Sequence, residues 1–143
     1  MNSRFVIDAS VALSWLLPGE DTNRTLRLRD HAVNERVELF VPPIFWYEVA
    51  NVLWVAAKRE RITQSDAMKA LESLLDFQID VWTTDPLDSL SIAFNQDLSV
   101  YDSAYLSIAV QHQAILWTID NALAKAAQRL NILVEPAPLY QNK

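Results

Sequence analysis

The chain has 143 residues, 51% of them hydrophobic and 21% charged, which is the balance of one folded globular unit and excludes a disordered one. It carries 12 basic against 18 acidic residues, a net charge of −6, so its overall field does not steer it onto nucleic acid. No Cys is present and only one Gly, Gly19. That excludes a disulfide framework, a cysteine metal site, a P-loop and a GxGxxG dinucleotide turn. No apolar run approaches the roughly 18 residues of a membrane span. The start, MNSRFVIDAS, has an acid inside its short apolar stretch and does not read as a signal peptide. These features together suit a reducing cytoplasm.

In chain order, a first β-type run covers Arg4 to Ile7 and a short apolar helix Ser10 to Leu17, stopped by Pro18-Gly19. Asp21 or Thr22 can cap a helix reaching about Val33. A second strand, Glu38 to Val41, ends at Pro42-Pro43 and leads into a long helix from Pro43 to Arg61, with proline in the first turn. Thr63 or Ser65 can cap the next helix, through Phe77, before a strand over Ile79 to Trp82. Pro86 opens a helix through Phe94, and another follows over Tyr101 to Gln111. The strand Ala114 to Thr118, a helix over Asn121 to Leu130 and a last strand, Ile132 to Val134, complete the series.

Strands alternating with helices predict a mostly parallel sheet of about five strands, covered on both faces. The expected architecture is α/β: a single-domain α/β/α sandwich over residues 1–143.

In such sheets chemistry collects beyond the carboxyl ends of the strands, near a topological switch point. Asp8 ends the first strand in FVIDASV, and Asp120 follows the fourth in LWTID. Each, taken alone, is equally an N-cap. Asp102, in SVYDSAYLSIAV, stands in a first helical turn, where negative charge suits the macrodipole. Glu48 is harder to explain, because it lies in IFWYEVANVLWVAA, the most apolar stretch of the chain. An unpaired buried carboxylate is costly, and a bound cation removes the penalty. The alternative is a narrow polar stripe shared with Asn51, three residues on.

Four carboxylates are hard oxygen donors suited to Mg²⁺ or Mn²⁺. His31 and His112 lack zinc-site spacing, and no nucleophile elbow surrounds Ser10 or Ser103. A carboxylate cluster holding Mg²⁺ provides what phosphodiester hydrolysis needs: a metal-activated water, shielding of the phosphate and stabilisation of the leaving oxygen.

The order FVIDASV, WYEVANVLW, YDSAYLSIAV, LWTIDNALAKAA resembles the PIN domain, and most closely the VapC-type toxin ribonucleases of toxin–antitoxin pairs. The resemblance spans essentially the whole chain. It implies Mg²⁺-dependent endonucleolytic cleavage of RNA, with Mn²⁺ able to substitute. Asp8, Glu48, Asp102 and Asp120 would be the metal-binding and catalytic residues. Ser10 and Thr118 match the family's small hydroxyl residues near the site, and with Asn51 they are the supporting polar groups. Lys125 and Arg129, on the helix after Asp120, are candidates for contacting the RNA backbone. The resemblance also implies a homodimer and neutralisation by a VapB-like antitoxin, part of which wraps the toxin and reaches the acidic pocket. Relatives often carry a further acid after the fourth, where this chain has Asn121; the number of ions, one or two, stays open.

Two other readings compete. One is a catalytically silent PIN-like binding module. The other is a phosphoacceptor receiver domain, which would need an acidic pair where Phe5-Val6-Ile7 stand. Among the tryptophans, Trp46, Trp54 and Trp117 are expected in the core; Trp15 and Trp82 are read as core too, with a dimer or antitoxin surface as the alternative.

Overall fold

A computed structural model describes residues 2–20 and 22–136. Strand β1 (Ser3–Ile7) is followed by α1 (Ala9–Leu16) and α2 (Asn23–Val33), then β2 (Val37–Val41), α3 (Ile44–Lys58) and α4 (Gln64–Leu75). Next come β3 (Ile79–Val81), α5 (Pro86–Gln96), α6 (Val100–His112), β4 (Ile115–Trp117), α7 (Asn121–Arg129) and β5 (Val134–Glu135). Every strand pairing is parallel, in the order β3-β2-β1-β4-β5. The expected parallel α/β sandwich is therefore present.

That order also decides against the receiver reading, whose flavodoxin-like sheet runs 2-1-3-4-5. Two crossovers step from β1 to β2 to β3, and the next carries the chain back past β1 to β4. Right-handed crossovers then place α1 to α4 on one face and α5 to α7 on the other. The reversal falls between β1 and β4, the pair that ends in Asp8 and precedes Asp120.

The central strands read as continuous apolar runs because both faces are covered. Val6, Ile7, Val41 and Leu116 are wholly enclosed, as are Phe45 and Val49 of α3 and Leu106 and Ile108 of α6. Thr22 and Thr63 cap α2 and α4 through reciprocal side-chain and backbone bonds. With a single glycine, several helices end on other residues in the left-handed region: Glu60 after α3, Asp97 after α5 and Gln113 after α6. This is why α3 stops at Lys58 rather than Arg61: the amide of Arg61 turns back to donate to Ala56.

The last strand lies two residues later than the apolar run Ile132 to Val134 suggests, since Leu116 pairs with Val134. The tryptophans also redistribute. Trp117 is buried as expected and Trp46 partly so, but Trp54 is 58% exposed on α3. Trp15 and Trp82, for which a partner surface was the alternative, pack inward. Trp15 stacks on Phe77, and Trp82 is sandwiched between Phe40 and His112 at ring separations of 3.5 and 3.7 Å. No helix among the described residues is long and apolar enough to cross a membrane.

Candidate active site

Asp8 follows β1 at the N-cap position of α1, yet its carboxylate makes no capping bond. It is 7% exposed and held from both sides. Ser10 Oγ donates to Oδ1 at 2.7 Å, and Thr118 Oγ1 donates to Oδ2 at 2.9 Å. The Thr118 hydroxyl in turn accepts from the Asp120 amide at 3.0 Å, which fixes its direction. Burial pushes the Asp8 carboxyl up to about 6, against the pull of the two hydroxyls, and the Asp120 charge adds to the rise.

Asp120 does cap its helix. Its Oδ1 accepts from the Leu123 amide at 3.1 Å, and its residue is exposed. Both strand-end acids thus occupy N-cap positions, but only Asp120 uses its side chain as a cap.

Glu48 sits in the second turn of α3, one residue before the buried Val49. It is partly enclosed, and Tyr105 Oη donates to its Oε1 at 2.5 Å. Burial raises its carboxyl above the usual range, opposed by the Tyr105 bond and reinforced by the Asp102 charge. Burial and the Glu48 and other carboxylate charges push the Tyr105 hydroxyl upward too, so it stays a donor. Asp102 lies in the first turn of α6, its amide donating to the Ser99 cap. Its carboxyl is also raised, by burial first and by Asp120 next.

The four acids come from four separate elements, and each is within electrostatic reach of at least one other. The Asp120 charge raises both Asp8 and Asp102, and the Asp102 charge raises Glu48. Among the described residues no three carboxylate or imidazole groups close tightly enough to form a ready metal cage. The donor set is nonetheless chemically fitted to a hard divalent cation: all carboxylate, mutually repelling, and three of the four raised by burial.

The supporting residues divide. Ser10 and Thr118 bind opposite oxygens of Asp8, whereas Asn51 is exposed and shares no hydrogen bond with Glu48. Tyr105, reaching across from α6, takes the place expected for Asn51, which is exposed on α3. The sequence does contain its signal, a tyrosine three residues after Asp102 on the same helix. Lys125 and Arg129 are both exposed on α7. Arg129 Nε donates to Gln96 Oε1 of α5 at 2.7 Å, and it lies about 14 Å along the helix from Asp120. The structure ties it to α5 rather than to the acids.

A parallel sheet with acids beyond the ends of the two strands at its switch point defines a class of α/β proteins that work on ligands at the strand ends. This chain belongs to the PIN domain family, whose profile matches residues 5–129. Ribonuclease VapC3 from Pyrobaculum aerophilum is 30% identical over 126 residues, covering 85% of this chain and 93% of that protein. Exonuclease VapC9 of the same organism is 30% identical over 95 residues, 66% of this chain and 71% of its own length. In structure, PAE2754 from Pyrobaculum aerophilum superposes with a TM-score of 0.72 at 23% identity, over 92% of this chain and 83% of that one. VapC20 from Mycobacterium tuberculosis, a Sarcin-Ricin loop cleaving toxin, does so with a TM-score of 0.61 at 12% identity, over 94% and 99%. The two structural likenesses speak for the fold. The family read from the sequence is borne out.

Proposed function

We propose that this chain is a single-domain, divalent-metal-dependent endoribonuclease of the VapC type, the toxin of a toxin–antitoxin pair acting in the cytoplasm. One observation carries the reading: four carboxylates from four elements, three of them raised by burial, gather at the switch point of a PIN-family sheet. The names of the relatives VapC3 and VapC9 support nuclease chemistry.

Asp8, Glu48, Asp102 and Asp120 would hold Mg²⁺, or Mn²⁺ in its place. A cation held there supplies Lewis-acid activation of water and neutralises charge on the scissile phosphate. The chain's own residues set the stage for this. Ser10 and Thr118 fix both Asp8 oxygens while leaving a lone pair on each free. Tyr105 pins one Glu48 oxygen and leaves the other open. Glu48 and Asp8, held against repulsion by these donors, are the groups positioned to orient an attacking water. The buried floor keeps competing solvent from Asp8.

The partners that go with this reading are an RNA substrate, a VapB-like antitoxin and a second copy of the chain. The test is incubation of a mixed cellular RNA pool with purified protein in Mg²⁺ or in EDTA, beside Glu48→Gln. Discrete cuts in Mg²⁺ alone are expected, with the variant folded and about a hundred- to a thousandfold slower, the order of loss when a transition-state contact goes. No cutting together with no Mg²⁺ binding would leave the silent binding module. Products shortened from one end would replace endonuclease by exonuclease.

A further inference from the structure

Helices α2, α4 and α6 each start at a hydroxyl residue whose third successor could close a capping box, and they do not behave alike. In α2 and α4 the box is closed. The Thr22 and Thr63 hydroxyls accept from the amides of Thr25 and Asp66, whose side chains accept in return from the N-cap amides. Helix α6 repeats the pattern of α4, with Ser99 and Asp102 where α4 has Thr63 and Asp66. The Ser99 hydroxyl accepts from the Asp102 amide at 3.0 Å, yet the Asp102 carboxylate makes no return bond to the Ser99 amide. The backbone does not explain the difference, because φ and ψ are −81° and 163° at Thr63 and −62° and 156° at Ser99.

Two other features do differ. Asp66 is exposed, whereas Asp102 is partly enclosed and within the field of Asp120. The residue after the acid is Ala67 in α4 and Ser103 in α6. Ser103 is fully buried, and its hydroxyl donates to the Ser99 carbonyl at 2.8 Å, the same oxygen that its amide reaches at 3.0 Å. Ser99 is thus tied to its helix through its own hydroxyl and, twice over, through its carbonyl. Its side chain also lies near enough to the Asp102 carboxyl to lower it, against the burial and the Asp120 charge that raise it. A closed box would bend the Asp102 carboxylate back along its own helix, away from the other three acids.

We propose that Ser99 and Ser103 are positioning residues for Asp102: two hydroxyls secure the start of α6 as a carboxylate secures the start of α4, which leaves Asp102 for the cation site. The inference rests on the metal reading of the four acids. Repulsion by Asp120 pushes the Asp102 carboxylate off the cluster, and the Ser99 amide, three residues back, is the donor it would otherwise take. With the cap already held by the two serines, that bond is not needed. Neither serine is a catalytic group; each acts through Asp102.

The test sets α6 beside α4. Amide spectra of the isotope-labelled protein, thermal unfolding and calorimetric titration with Mn²⁺ are recorded for wild type, Ser103→Ala, Ser99→Ala, Ser99→Thr and Thr63→Ala. In wild type the Thr63 amide proton should lie downfield, bonded to a carboxylate, and the Ser99 amide proton should not. Ser103→Ala should move the Ser99 amide downfield as the box closes, and weaken Mn²⁺ binding about tenfold, the scale for losing a partner that orients a ligand. Ser99→Ala and Thr63→Ala should lower the melting temperature alike, since each removes one cap, while Mn²⁺ affinity falls in Ser99→Ala only. Ser99→Thr should keep both at wild-type values. A Ser99 amide already downfield in wild type would overturn the proposal. So would an unmoved Ser99 amide and unchanged Mn²⁺ affinity in Ser103→Ala, or an equal loss of affinity in Thr63→Ala. Wild-type protein that binds no Mn²⁺ would remove the metal reading, and the Ser99 amide of Ser103→Ala would then decide by itself for or against the two serines.

Discussion

The carboxyl edge of one sheet carries two unlike halves. At β1 and β4 it is acidic: Asp8 is enclosed, its oxygens held by hydroxyls, and Asp120 stands beside it as a cap. At β2 and β3 it is proline, aromatic and aliphatic, with Ser89 buried and its hydroxyl unpaired. The same two helices, α3 and α6, serve both halves, and they do so by placing a tyrosine and an acid at adjacent positions, Tyr47 before Glu48 and Tyr101 before Asp102. Helical rotation alone is enough to sort charge from aromatic surface. A strand-end edge can thus be divided into a part that holds charge and a part that is apolar.

The sharpest way to break the comparison is to neutralise the acidic half at its most buried point. Asp8→Asn should abolish RNA cleavage, measured as initial rate on an RNA that the wild-type protein cuts. It should also change stability, in a direction set by the raised pKa. Charged Asp8 costs stability above its unfolded pKa, and the cost is fully present above pH 6. A shift from 3.8 to about 6 corresponds to roughly 3 kcal/mol at most. Without divalent cations, Asp8→Asn should therefore unfold later than wild type at pH 8 by up to that amount, and with it at pH 4. Denaturant unfolding at the two pH values checks this, and a less stable variant at pH 8 would refute it.

A milder intervention sharpens the boundary between the halves. Tyr105→Phe keeps the volume of a side chain only 1% exposed and removes the bond to Glu48. Cleavage should fall about 10–100-fold, the usual effect of losing a ligand's orienting partner. Wild-type folding stability with a raised Mg²⁺ requirement would locate the defect in Glu48.

The smallest effect belongs to the aromatic half. His112 stacks on Trp82 and its pKa is lowered, by desolvation and then by Arg4, whose guanidinium donates to the His112 carbonyl. A depressed folded pKa means that the neutral ring is preferred, so this stability is present above about pH 6.5 and lost as pH falls below it. Comparing wild type with His112→Gln across pH 5 to 8 should show their difference narrowing on the acid side.

The alternation of strands and helices and all four acids were legible in the sequence, because each rests on local patterning: apolar runs, proline and threonine punctuation, an acid at a strand end. The adjacency of β1 and β4 was only conditional, since strand order depends on crossovers that local patterning does not encode. Helix α3 misled for a related reason. It is apolar around most of its circumference, so periodicity does not say that Trp54 faces out or that Asn51 turns away from Glu48. Tyr105 was missed because its partner is 57 residues away. Ser89 gave no sign at all, because an unpaired hydroxyl is a property of packing.

The two rims of the sheet carry a last consequence. Edge strand β3 has three residues with Asp80 at its centre, and β5 has two, ending in Glu135 before Pro136. Strands so short, interrupted by charge and proline, offer poor templates for another chain's backbone. Any self-association of this chain would then be written in side chains on its helices, where a point substitution can tune it, rather than in main-chain pairing, where it would run on into fibres.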